Sequence, residues 1–169
     1  MKKFFLLLLY YFDSSIYAKF IGVSFGRNCK FYTRFFGSEP FLISFGNNVT
    51  VSNNVQFITH DGSLTLIRDK KGRRYSYSKI KVGSNVFIGS SSILLPGIEI
   101  GDNVIIGAGS VITKSIKHGS VVAGNPAKII SDFESFKKRK LKISSTLEDL
   151  KCFKNYKKNI IDVIETNEN

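Results

Sequence analysis

The sequence predicts an all-β solenoid, a chain coiled in six-residue units, and three observations carry that expectation. Aliphatic residues return every six positions at Val82, Ile88, Leu94, Ile100, Ile106 and Ile112, without a slip. Small or branched residues fall four positions after an aliphatic one, at Val86, Ser92, Ile98, Val104 and Ser110. Glycine or asparagine stands between them, at Gly83, Gly89, Gly101, Gly107, Asn85 and Asn103. A half-buried strand would repeat every two residues and an amphipathic helix every three or four, so neither produces this period. A coil with short straight sides does: two positions per unit point inward, and glycine or asparagine accepts the backbone angles of the corners.

Taken in order, residues 1–19 form an N-terminal segment. Met1-Lys2-Lys3 precedes an apolar run from Phe4 to Phe12, nine residues long and too short to span a bilayer. It resembles a signal peptide but lacks a small-residue cleavage site. We read it as a helix that packs on the domain, with contact to a membrane surface as a second role.

Residues 20–130 form the solenoid. Its early part is ragged: Phe45-Gly46-Asn47-Asn48-Val49, Val51-Ser52-Asn53-Asn54-Val55 and Phe57 keep the pattern, while Ile21-Gly22 and Phe25-Gly26 keep it weakly. Phenylalanine at inward positions predicts a wider or less regular first coil. Two excursions are expected, near 30–43, holding Gly37-Ser38-Glu39-Pro40, and near 61–79, holding Arg68, Lys70, Lys71, Arg73 and Arg74. Long departures from a regular solenoid are usually functional loops or disordered ones. From Ser131 onward Phe133, Phe136, Leu141, Leu147, Leu150, Phe153 and Ile160 are mixed with lysines, which predicts a helical cap over 131–169.

A length of 169 residues fits one domain of ordinary size. Lys and Arg number 25 against 13 Asp and Glu, a formal charge of +12 that favours anionic partners. Much of the excess lies in Lys137–Lys140 and Lys151–Lys158, which read equally well as solvated surface. No aromatic-and-glycine RNA-binding motif accompanies it, so nucleic acid is not expected. Cys29 and Cys152 belong to no CxxC or Cys/His cluster, which argues against a zinc site or disulfide framework and for a reducing cytoplasm.

The tandem hexapeptides, followed by Ile106-Gly107-Ala108-Gly109-Ser110-Val111-Ile112-Thr113-Lys114 and Val122-Ala123-Gly124-Asn125-Pro126-Ala127-Lys128, resemble the hexapeptide-repeat acyltransferases over roughly residues 20 to 130. The branch is that of galactoside, maltose and xenobiotic acetyltransferases. Gly37-Ser38-Glu39-Pro40-Phe41-Leu42-Ile43 and Phe57-Ile58-Thr59-His60-Asp61-Gly62 look most like acetyltransferases encoded with bacterial capsule and O-antigen pathways. The resemblance implies a left-handed parallel β-helix, a homotrimer with active sites between subunits, acetyl-coenzyme A as donor and a saccharide as acceptor. It also implies a cytoplasmic enzyme, with peripheral contact at the inner face of the membrane as an extension of that setting.

A hydroxyl is a poor nucleophile until its proton is being removed, so acetyl transfer to a sugar needs a base, and imidazole titrates in the useful range. His60 and His118 are the only histidines. His118 lies in a repeat turn and reads as structural. His60, after the inward Phe57 and just before the long excursion, matches the family's catalytic histidine. Its orienting or acceptor-binding partner is Glu39 or Asp61: Asp61 fits the start of a turn with Gly62, and Glu39 is slightly preferred because the resemblance implies an acidic acceptor-binding residue at about its place.

The resemblance further places Ser90 and Ala108 beside the pantetheine arm, and Thr113, Lys114 and Lys128 near the nucleotide end. Phe87 departs from the tryptophan or tyrosine common there. No metal is expected, because two histidines fall short of a three-histidine zinc site. The alternatives are an N-acetyltransferase of an amino-sugar or xenobiotic on the same fold and, in a different class, a non-catalytic basic scaffold.

Overall fold

A computed structural model describes residues 14–142, 144, 160 and 161. The chain divides into two compact units, residues 1–133 and 134–169. In the first, helix α1 (Ser14–Phe20) precedes the coils. The first coil holds β1 (Ser24–Phe25) and β2 (Lys30–Phe31), and the second holds β3 (Ile43–Phe45), β4 (Val49–Val51) and β5 (Gln56–Phe57). An excursion carrying the hairpin β6 (Arg68–Asp69) and β7 (Gly72–Arg73) follows. The third coil is β8 (Ile80–Val82), β9 (Val86–Ile88) and β10 (Ile93–Leu94), and the fourth is β11 (Glu99–Ile100), β12 (Val104–Ile106) and β13 (Val111–Ile112). The unit closes with β14 (Ser120–Ala123) and β15 (Lys128–Asp132).

Successive strands visit three sheets in turn. Face one is β1-β3-β8-β11, face two begins β2-β4-β9-β12-β14, and face three is β5-β10-β13. Every pairing on these faces up to β14 is parallel. Val82 pairs with Ile100, 18 residues on, so three six-residue units make one coil. All six residues of the aliphatic series are buried, and so are Val86, Ser92, Ile98, Val104 and Ser110. The two serines of this second series are satisfied: Ser92 Oγ donates to the Gly89 carbonyl at 2.7 Å and Ser110 Oγ to the Gly107 carbonyl at 2.6 Å.

Asparagines build one corner. Asn28, Asn48, Asn85 and Asn103 all have φ between 54° and 57°. Asn tolerates this left-handed region better than most L-residues. Their side-chain amides form a ladder from coil to coil, Asn28 to Asn48 at 3.1 Å, Asn48 to Asn85 at 3.0 Å and Asn85 to Asn103 at 3.1 Å.

The first coil differs from the expectation of a long departure at 30–43. Lys30–Phe31 pairs with β4, and Phe31, Thr33 and Phe36 are buried. Phe25 pairs with Phe45, 20 residues on, so only two residues exceed a regular coil. The interior here is aromatic. Phe31 meets Phe25, Phe36 and Phe45 edge-on with centroids 5.0 to 5.6 Å apart, and Phe36 stacks on Phe57 at 5.7 Å. Rings take the place of aliphatic layers and make this end irregular.

Phe57 pairs with Leu94, 37 residues on, which is one coil plus 19 inserted residues.

The far end also departs from expectation. Ser131 and Asp132 belong to a strand, because β15 turns back antiparallel along β14. The β-branched Ile129 and Ile130 favour that extended run, and the reversal covers the open edge of face two.

Helix α2 (Phe133–Leu141), which lies in the second unit from Glu134 on, has Glu134 in its first turn and Lys138, Arg139 and Lys140 in its last, both favourable to the helix dipole. The rest of the expected helical extension, and the apolar run Phe4 to Phe12, lie outside the described residues. Among the described residues no helix is long and apolar enough to cross a membrane.

Candidate active site

Both excursions leave from one corner, where face three hands over to face one. The first runs from Phe36 to Ile43, the second from Phe57 to Ile80. They are therefore stacked a coil apart, and residues 21 apart in sequence meet.

Gly37 opens the first excursion. Its φ is +69°, and a Cβ there would lie 2.6 Å from the Phe57 carbonyl oxygen, so glycine is required on both counts. Pro40 then starts a single 3-10 turn over Pro40–Leu42, with Glu39 at its N-cap position. This turn returns the chain to Ile43 on face one and leaves the Glu39 side chain facing the second excursion.

That excursion is pinned where it begins. His60 forms an antiparallel bridge with Tyr77, the Asp61 amide donates to the Ser76 carbonyl at 3.2 Å and the Ser78 amide donates to the Thr59 carbonyl at 2.8 Å. The long loop is thereby closed at its base, and the His60 backbone is held by the sheet-like pairing.

Glu39 Oε2 accepts from Thr59 Oγ at 2.5 Å and from His60 Nδ1 at 2.9 Å. The side chain of Glu39 is 18% exposed and that of His60 42%, so the carboxylate is sheltered while the imidazole is reachable. The Thr59 hydroxyl, then the His60 hydrogen bond, hold the Glu39 carboxyl below its ordinary range. A carboxylate on Nδ1 fixes the tautomer and leaves Nε2 to exchange a proton. His60 lines a cleft of about 580 Å³ together with Arg34, Phe35, Gly37, Gln56 and Phe57, a volume in the range of small-molecule sites.

The depressed Glu39 pKa makes a testable statement about stability. A carboxylate favoured in the folded state contributes above its unfolded pKa, and the contribution is lost as pH falls through the lower folded value. The wild type should therefore melt above Glu39→Gln at about pH 6. The gap should close as pH drops below about 4, the ordinary carboxylate range. A gap that stayed constant over that range in thermal melts would contradict a stabilising charge on Glu39.

Asp61 is not in this arrangement. Its Oδ1 accepts from the Ser63 amide at 2.9 Å and the Ser63 hydroxyl at 2.7 Å, capping the 3-10 turn Gly62–Leu66. These two bonds lower its pKa, the hydroxyl contributing most.

Ser90 and Ala108 stack at the corner between faces two and three. The Gly109 amide donates to the Ser90 carbonyl at 2.8 Å, and a Cβ on Gly89 would fall 2.5 Å from the Ala108 nitrogen. Both residues are exposed. Thr113 and Lys114 are exposed at the opposite edge of face three, beside a cavity of about 320 Å³ shared with Ile116, Ala127 and Ile129. Lys128 is exposed on β15, next to Ala127, whose amide donates to the Val111 carbonyl at 2.9 Å. His60 and the Ser90–Ala108 corner thus lie at opposite edges of face three. The side of the coil between those edges, Ser92 to Leu95 with the strand Ile93–Leu94 at its centre, is four residues long, about 13 Å at 3.3 Å per residue.

Thr59 was not among the sequence candidates, although a polar residue alternating inward after Phe57 is a signal, since a buried hydroxyl must find a partner. Tyr77, whose ring centroid lies 6.1 Å from that of His60, was also missed. The alternation of Tyr75 and Tyr77 at the end of the loop was its only trace.

Comparison with known proteins now bears on the chain. Residues 79–114 match the family model described as bacterial transferase hexapeptide (six repeats). The chain is 45% identical over 139 residues to Protein CapG of Staphylococcus aureus, covering 80% of this chain and 81% of that one. A maltose O-acetyltransferase from Clostridium difficile 630 is 29% identical with a TM-score of 0.52, over 72% of this chain and 75% of that one. A galactoside acetyltransferase in complex with coenzyme A shares the fold with a TM-score of 0.52 at 24% identity, over 79% of this chain and 80% of that one. The extent of the match to CapG, together with the 18-residue coil, shows that the chain belongs to the bacterial hexapeptide-repeat transferases and is an acetyltransferase of that family.

Proposed function

We propose that this protein is an acetyl-coenzyme A-dependent O-acetyltransferase that acts on a sugar hydroxyl of a surface polysaccharide or its precursor, with His60 as general base. The observation that carries this reading is the hydrogen bond from His60 Nδ1 to Glu39 at the edge of the cleft. In this mechanism Nε2 takes the acceptor hydroxyl proton as the oxygen attacks the thioester carbonyl, and returns it to the departing thiolate. Glu39 stabilises the imidazolium between those two transfers.

The donor lies along face three, where the small side chains of Ser90 and Ala108 let its pantetheine arm approach the backbone. Thr113, Lys114 and Lys128 bind its phosphates. Because His60 and the Ser90–Ala108 corner of one chain stand about 13 Å apart, we take each site to combine His60 of one subunit with the small-residue corner of a neighbour, in a homotrimer of left-handed coils. Such an enzyme uses no metal and works in the cytoplasm, at or near the inner face of the membrane.

The test is thiol release from acetyl-coenzyme A with a panel of nucleotide sugars, lipid-linked saccharides and finished glycans, alongside the solution mass. Ester formation on a saccharide by a trimer supports the reading. Acetylation of amino groups alone would replace it with N-acetyl transfer, and no binding of acetyl-coenzyme A would end it.

A further inference from the structure

The excursion after His60 carries a series of planar and charged side chains on its return stretch. Arg73, Tyr75 and Tyr77 alternate along one stretch of chain, and alternation in an extended segment puts side chains on one side. Their groups are stacked in series. The Arg73 guanidinium lies 4.8 Å from the Tyr75 ring centroid, the Tyr75 and Tyr77 rings are 3° from parallel at 6.4 Å, and Tyr77 meets His60 edge-on at 6.1 Å. Both tyrosines are more than half exposed. A run of planar groups therefore leads outward from the imidazole, and four extended residues reach about 13 Å.

At its outer end are two like charges. Arg68 and Arg73 are direct partners across the hairpin of β6 and β7, and both are exposed. Like charges directly opposite on a hairpin repel. The acid of the hairpin does not relieve them, since Asp69 pairs with Arg74 and also accepts from the Lys71 amide. Among the described residues no acid pairs with Arg68 or Arg73, and two guanidiniums on directly paired residues suit an oxyanion, which each can engage through paired N–H groups. Aromatic faces next to them suit the apolar faces of sugar rings.

We propose that this loop is the acceptor-binding arm and that the acceptor is an anionic saccharide. Its carboxylate or phosphate sits between Arg68 and Arg73, and its rings lie on Tyr75 and Tyr77, which brings a hydroxyl to His60. This inference rests on the O-acetyltransferase reading and adds the charge class of the acceptor to it.

The test is calorimetric binding of three probes of equal length, namely trigalacturonate, maltotriose carrying a terminal phosphate, and neutral maltotriose. Wild type should bind an anionic probe about tenfold or more tightly than the neutral one, and the better of the two distinguishes carboxylate from phosphate. The double variant Arg68→Gln/Arg73→Gln should lose that preference and keep its affinity for acetyl-coenzyme A. Lys137→Gln/Lys138→Gln on α2 removes the same charge elsewhere and should keep the preference. Equal binding of neutral and anionic probes, an equal loss in both double variants, or weakened acetyl-coenzyme A binding in the arginine variant would each overturn the proposal. An arm that fails these tests in a protein still binding acetyl-coenzyme A and forming esters leaves the acetyltransferase standing. A wild type that binds no acetyl-coenzyme A removes both.

Discussion

His60→Ala is expected to lower kcat/KM for acetyl transfer by about 10² to 10⁴-fold, the usual contribution of a positioned general base. The loss should fall on kcat, since the imidazole acts on a proton in flight rather than on either substrate at rest. The fold should survive: the side chain is 42% exposed, and the pairing with Tyr77 is made by the backbone. Glu39 keeps its hydrogen bond from Thr59. Steady-state kinetics with a thermal melt of the same preparation separate the two effects. Undiminished turnover in the alanine variant would reject His60 as the base.

Phe36→Ala is expected to cost about 3–5 kcal/mol of stability, read as a lower urea midpoint with unchanged slope. Phe36 is 1% exposed, stacks on Phe57 and meets Phe31 edge-on, so truncation leaves a cavity among rigid rings that relax poorly. It also stands next to Gly37, at the root of the turn that delivers Glu39. Activity should therefore fall in the folded variant as well, by less than in His60→Ala. A loss below about 1 kcal/mol would show that the first coil is looser than its aromatic packing indicates.

Phe36 also shows where the sequence stops being readable. The middle coils are plain because Val82 through Ile112 never miss a sixth position and all are buried. In the first coil Phe25 and Phe31 keep the six-residue spacing, but the next inward ring, Phe36, arrives after five. Thr33 fills the inward place between them, its hydroxyl satisfied by the Val55 carbonyl at 2.8 Å. A polar inward residue and a shortened side disguise a coil as a loop.

The reversal into β15 was hidden for another reason. Pairing partners such as Ala123 and Lys128 are fixed by the turn through Asn125-Pro126, and no period continues across it. At the candidate site, the sequence singles out His60 by its place beside Phe57 and favours Glu39 over Asp61 by resemblance alone, so the choice between the two acids has no geometry behind it. That choice depends on the two excursions sharing a corner, a property of the coil rather than of either segment. Asp61 is nearer in sequence, but its Oδ1 is turned to the Ser63 amide and hydroxyl, where it caps the 3-10 turn.

The shared corner has a consequence for how such a scaffold changes over generations. Two extra residues in one coil and 19 in the next leave the strands that follow in register, at Ile43 and Ile80. Closing a loop costs only about 0.6 kcal/mol more for each doubling of its length. Insertions and deletions at this vertex are therefore nearly neutral to the apolar rungs, while the added chain leaves the scaffold at the corner that carries the imidazole. Descendants of one gene can thus change the molecules they select by altering chain length at a single point, with the interior passed on untouched.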